Sequence, residues 1–178
     1  MAREMPQPNR LELKLRAQNW TADGTVGTNI DVLIDEAPLA DYGNYATNLL
    51  SLVPSVDYDG DFFMVVCTCG DAGCAGIVNP ITVTHQSGRV DWHVPEPEPV
   101  RDFSFDEDQY RVEIVRLVDE GTLLASDGKL TDAIPENNQQ FLERNPALLE
   151  NIGYARKLQL ESGRWKKPNT AEGDQSAS

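Results

Sequence analysis

Three thiols stand within eight residues, Cys67-Thr68-Cys69-Gly70-Asp71-Ala72-Gly73-Cys74, and the chain has no other cysteine. Thiolates ligate soft metal ions, exchange with disulfides and act as nucleophiles, whereas buried thiols pack as small hydrophobes. A strand-like run, Phe62-Phe63-Met64-Val65-Val66, leads into the cluster. If that strand continues through Cys69, Cys67 and Cys69 share a face, because strand side chains repeat every two residues. Gly70 and Gly73 then permit a turn that returns Cys74 to them. A tetrahedral zinc ion needs a fourth donor, and His85 and His93 are the only imidazoles in the chain. The candidate metal-ligating set is therefore Cys67, Cys69, Cys74, His85 and His93, with zinc as the candidate cofactor.

The spacing departs from the usual zinc knuckle, C-x2-C, and only one knuckle is present. Buried structural thiols and a redox pair such as Cys69 with Cys74 stand beside zinc as open alternatives. Read alone, His85 and His93 are ordinary strand histidines. No catalytic constellation stands out: there is no G-x-S-x-G, no P-loop and no H-E-x-x-H. A Cys–His nucleophilic pair built from Cys74 with either histidine is what any chain of this composition permits, so an enzyme is the least favoured class.

Charge supplies the other functional signal. The formal net charge is -14, and no Lys or Arg occurs between Arg16 and Arg89. A nucleic-acid binder needs a basic footprint, and the front half has none. Acidic surfaces repel phosphate and anionic lipid and steer in cationic partners. The leading expectation is thus a non-catalytic module that meets a basic protein surface, as an immunity protein, an inhibitor or a nucleic-acid mimic does. Its candidate contact residues are Asp31, Asp35, Glu36, Asp41, Asp57, Asp59 and Asp61. The alternate aspartates of Asp57-Tyr58-Asp59-Gly60-Asp61 invite a calcium reading, but glycine and the terminal glutamate of an EF-hand loop are out of place, which leaves a turn.

These residues must be held by a domain of ordinary size, since 178 residues fit one. No apolar run approaches the roughly 20 residues of a membrane span, and the N-terminal residues carry no hydrophobic core of a signal peptide. The expected compartment is the cytoplasm, where an odd number of cysteines argues against a disulfide framework. Residues 1–10 read as a disordered lead, 11–165 as one α+β domain and 166–178 as a disordered tail.

Within the domain, Leu11-Glu12-Leu13-Lys14-Leu15-Arg16 alternates with period two, a half-buried strand, and residues 29–35 read as its antiparallel neighbour. Tyr45 to Val53 is apolar enough for a short helix before Pro54. Strands are expected at Phe62–Thr68, Ile77–His85 and Arg89–Val94, the last two closing a hairpin over Gln86-Ser87-Gly88. Residues 95–99, alternating Pro and Glu, form a stiff connector. A helix from Asp106 to Glu120 has Asp106 as its cap, Gln109 in the capping box, and a stripe of Tyr110, Ile114, Leu117 and Val118. Gly121 is its expected stop. Further helices are expected around Gln139–Leu142 and from Asn145 to Leu158. Trp92, Tyr110 and Tyr154 read as core aromatics. Strands first and helices last predict an α+β fold, an antiparallel sheet of about five strands packed against C-terminal helices.

The run from Val65 to Tyr110 resembles a group of small, mostly uncharacterised bacterial proteins. The shared features are Cys69-Gly70-Asp71-Ala72-Gly73-Cys74, then Val90-Asp91-Trp92, then Phe103-Ser104-Phe105-Asp106-Glu107-Asp108-Gln109-Tyr110 opening a helix. The resemblance supports the fold and implies no established activity.

Overall fold

The computed structural model describes residues 7–19, 26–126 and 157–169, with the side chains of 15, 17–19, 26–29 and 118–126 outside the description. Its architecture is α+β, built on antiparallel sheets. β1 (Leu11–Asn19) and β2 (Val26–Ile34) form a long ladder, and β3 (Ala37–Pro38) adds to β2. β4 (Tyr45–Thr47) pairs with β6 (Val65–Cys67). The largest sheet runs β10-β5-β7-β8-β9, from Trp165–Lys166, Asp59–Phe62, Ile81–Gln86, Arg89–Val94 and Arg101–Asp106. Helix α1 spans Leu49–Leu52, a 3-10 turn follows at Pro54–Val56, and α2 spans Glu107–Ser126.

Period-two patterning decides the faces of the large sheet. Ile81, Val83, Val90, Trp92, Val94 and Phe105 are buried while their chain neighbours are partly or fully exposed. The β7–β8 hairpin turns on Ser87 and Gly88, both at positive φ (51° and 77°), the primed geometry that suits strand twist. α2 lays Tyr110, Ile114 and Leu117 on this face, and Tyr110 meets Trp92 edge-on at 5.7 Å. Asp106 caps the helix through the Gln109 N–H. Val118, the last residue of the expected stripe, lies outside the described side chains.

α2 also closes the outer edge of β1. Gln109 accepts from the Leu11 N–H and donates to its carbonyl, Glu113 accepts from the Leu13 N–H, and Arg116 donates to the Leu13 carbonyl. Side chains thus supply the hydrogen bonds that a neighbouring strand would make, which protects an exposed edge.

Several elements differ from the sequence expectation. Tyr45–Thr47 is a strand, and the helix begins only after Asn48, whose side chain accepts from the Leu50 N–H. The expected strand Phe62–Thr68 is broken at Phe63-Met64: β5 stays in the large sheet and β6 crosses to β4. Phe62, Met64, Val65 and Val66 are all buried, so alternation gives no sign of the break. β7 starts at Ile81 because the Glu96 carboxylate takes the Val78 and Asn79 N–H groups out of any ladder. Arg101–Asp106 is a strand, β9, that the sequence expectation does not include. α2 passes through Gly121, a residue that costs about 1 kcal/mol inside a helix but does not end one by itself.

The first and last described segments are each tied to the domain. Asn9 and Arg10 are fastened to Asp35, and Lys166 pairs with Asp59 in β10. Trp165 is buried and stacks on Phe62 at 4.6 Å. Residues 157–161 are helical. The other expected C-terminal helical segments, and Tyr154, lie outside the described residues.

Candidate metal centre

The three cysteine sulfurs lie within 4.8 Å of one another. They are gathered by a turn and not by strand alternation. β6 ends at Cys67, where Cys67 pairs with Tyr45, and the chain turns at once. The Gly70 N–H donates to the Cys67 carbonyl at 2.8 Å, and the Cys67 N–H donates to the Asp71 carbonyl at 3.0 Å. Gly70 sits at φ 88°, left-handed backbone that favours glycine. Gly73, the other expected turn glycine, is not at positive φ; Gly76 takes that role at 72°. The Asp71 side chain accepts from the Cys74 N–H at 2.6 Å and fixes the return of the third thiol. Asp71 was not among the sequence candidates, although an aspartate three residues before a turn position signals this kind of side-chain-to-backbone closure.

Cys67 is half-buried at the loop base, and Cys69 and Cys74 are exposed. The Cys69 backbone N–H, then the Cys69 and Cys74 thiols, donate to Cys67 and lower its pKa to about 7. Cys74, giving its hydrogen to Cys67 and Cys69 beside their developing charge, is pushed up to about 11. The trio therefore settles one thiolate first and holds it with neighbouring donors. This is a soft, sulfur-only donor set, which suits thiophilic ions over oxygen-seeking ones.

Neither histidine belongs to the group. His85, on β7, has its Nδ1 2.8 Å from Asp59 Oδ1, and its side chain is 5% exposed. His93, on β8, lies on the opposite, solvent-facing side with Nδ1 2.7 Å from Asp102 Oδ1. The expected Cys3His set is thus corrected to three cysteines, because each imidazole is held by a carboxylate of its own sheet.

Most of the acidic candidates have partners within the fold. Asp31 pairs with Arg16 at 2.7 Å and Asp57 with Arg111 at 3.1 Å. Asp41 closes the turn at Gly43 and Asn44, Asp59 holds His85, and Asp61 accepts from Thr82. Asp35 accepts from Asn9 and the Arg10 N–H, which lower its pKa. Asp35 and Glu36 are exposed in the β2–β3 turn and Asp41 is exposed in the turn between β3 and β4, while Asp57 and Asp59 are part-buried elsewhere.

Comparison with protein-family models, with characterised proteins and with solved structures found no match. Among the described residues, no helix is long and apolar enough to cross a membrane.

Proposed function

We propose that this protein binds a soft metal ion through Cys67, Cys69 and Cys74. The observation that carries the reading is the mutual approach of the three sulfurs within 4.8 Å on one hydrogen-bonded loop. Zinc is the first candidate ion. A tetrahedral zinc here takes three protein thiolates and leaves one corner to water or an outside ligand, the arrangement of a reactive site rather than of a closed structural one. Free thiols persist in a reducing compartment, so the cytoplasm is the fitting location. The charge of -14 disfavours nucleic acid as a partner.

The test is metal analysis and thiol titration of protein purified without chelator, followed by zinc and cadmium titration. One bound ion per chain, protection of all three thiols, and loss of binding in Cys69→Ser and Cys74→Ser support the reading. Three freely titrating thiols at saturating metal overturn it. A Cys69–Cys74 or Cys67–Cys74 disulfide in protein handled under reductant assigns the loop to redox chemistry instead.

A second reading is contact with a basic protein, favoured by the exposed Asp35 and Glu36 of the β2–β3 turn and the exposed Asp41 after β3. Complementary charge gives fast, salt-sensitive association. Glu36→Lys should then weaken capture of a basic partner at low salt, and capture indifferent to salt counts against it.

A further inference from the structure

We infer that the cysteine loop is a three-coordinate site for trivalent arsenic, taken up as arsenous acid by condensation with Cys67, Cys69 and Cys74. This deepens the soft-ion reading of the same loop and depends on it. Three sulfurs converge within 4.8 Å, and among the described residues the metal-compatible group contains no fourth member. The donors with the best chance of filling a fourth corner are held elsewhere. His85 is held by Asp59 and His93 by Asp102, and Asp71 Oδ1 accepts from the Cys74 N–H. A tetrahedral ion is left one ligand short of its preferred set. Trivalent arsenic forms three bonds and keeps a lone pair at the remaining corner, so three thiols on one side of the ion complete its coordination.

The balance of the reaction points the same way. Three S–H groups react with As(OH)3 to form three As–S bonds, the three As–O bonds break, and each hydroxide leaves as water with a thiol proton. No oxidant or reductant takes part, and the adduct is neutral. A divalent ion held by three thiolates instead releases protons to solvent and leaves a net negative charge, on a chain whose formal net charge is already -14. Among the described residues Cys69 and Cys74 are exposed, so a small neutral reagent can reach them. The loop is also held by hydrogen bonds of its own. Backbone bonds join Cys67 to Asp71, Gly70 to Cys67 and Ile77 to Ala72, and the Asp71 side chain holds Cys74.

The experiment uses the full chain, reduced with a phosphine and freed of it and of dithiols. Sodium arsenite, zinc and cadmium are titrated in separate arms, with free thiols counted and intact mass measured under non-denaturing conditions. The expected result is one arsenic per chain, a mass gain of one arsenic less three hydrogens, and loss of all three thiol signals. Cys69→Ser and Cys74→Ser, checked for folding by circular dichroism, should lose the three-thiol adduct. The wild-type thiol count needs no variant, so a misfolded variant does not spare the proposal. Zinc or cadmium binding with arsenite unbound, or with one thiol still reactive in the arsenite arm, overturns this inference and leaves the soft-ion reading intact. No binding in any arm overturns both.

Discussion

His85 and Asp59 hold each other: Asp59 Oδ1 lies 2.8 Å from both the backbone nitrogen and the Nδ1 of His85. The imidazole is almost wholly buried, and its Nε2 is enclosed with no hydrogen-bond partner among the described residues. A residue that the sequence offers as a zinc ligand and one that it offers as a contact for a basic partner are thus one internal pair joining β5 to β7.

Asp59→Ala removes the acceptor for two His85 nitrogens at once. Leaving buried donors unsatisfied costs about 1–3 kcal/mol, and urea unfolding should show a loss in that range. Cadmium uptake by the cysteines should be unchanged in the same variant, because neither residue belongs to the sulfur group. Loss of cadmium binding in a folded Asp59→Ala protein would return His85 to the metal site.

Gly60 faces the backbone of β10. A Cβ at residue 60 would stand 2.2 Å from the Arg164 carbonyl oxygen, and Gly60 sits at φ 143°. Gly60→Ala therefore has to strain the backbone, at about 1–3 kcal/mol, or release β10. Release would free Trp165 from Phe62 and break its indole N–H bond to the Asp61 carbonyl. The expected outcome is lower stability with red-shifted tryptophan emission, and a variant unchanged in both would show that β10 does not close over Gly60.

The contrast between legible and hidden features follows from the range of the forces involved. The β1–β2 ladder, the β7–β8 hairpin and the start of α2 were readable because each is written in neighbouring residues: alternation, the Ser87-Gly88 turn, and the Asp106 cap. The break after Phe62 was not, because Phe62, Met64, Val65 and Val66 are buried without alternation and partner choice between β7 and β4 is a long-range matter. β9 was missed although Phe103 and Phe105 alternate, because the acidic residues after them signalled a helix more strongly. At the site, clustering of the three cysteines was legible from their spacing. The absence of histidine from it was not, since Asp59 and Asp102 reach His85 and His93 only through sheet register.

The inner stripe of α2 makes a ranking that stability measurements can check. Ile114 is 1% exposed and faces the core, so Ile114→Ala should cost about 2–5 kcal/mol through a cavity. Asp106→Ala loses one capping hydrogen bond to the Gln109 N–H, at about 1 kcal/mol. Urea denaturation that ranks the two variants in the reverse order would mean that α2 does not lie on the sheet as described.

Glu96 fastens the loop before β7. Its carboxylate accepts from the Asn79 and Val78 N–H groups and the Asn79 side chain, in that order of influence, and these bonds lower its pKa below the ordinary 4.5. A depressed carboxylate pKa contributes stability that is present above the unfolded value and is lost as the pH falls through the folded one. Carboxyl titration followed by NMR should place the Glu96 midpoint below 4.5, with the Val78 and Asn79 amide shifts moving at that same midpoint. Glu96→Gln should abolish that amide titration; amides that still move in this variant would assign the effect to another carboxylate.

The cysteine loop should reveal itself through the pH dependence of both stability and reactivity. Cys67 is lowered from an ordinary 9.0 to about 7, and Cys74 is raised from 9.0 to about 11. The lowered group contributes stability that is present above 9.0 and lost as the pH falls through about 7. The raised group contributes stability that is present below 9.0 and lost as the pH rises through about 11. These windows are adjacent, so stability should rise with pH between about 7 and 9.0 through Cys67 and fall again between 9.0 and about 11 through Cys74. Alkylation reads the same ionisation residue by residue, because the thiolate is the reacting form. Iodoacetamide labelling mapped by peptide mass should modify Cys67 with a rate that rises through a midpoint near 7, although Cys74 is the more exposed residue. Bound zinc or arsenite should suppress that labelling. A Cys67 midpoint near 9, or faster labelling of Cys74 at neutral pH, would mean that the three sulfurs do not share hydrogens in solution, and the converged loop that the metal reading needs would fail with it.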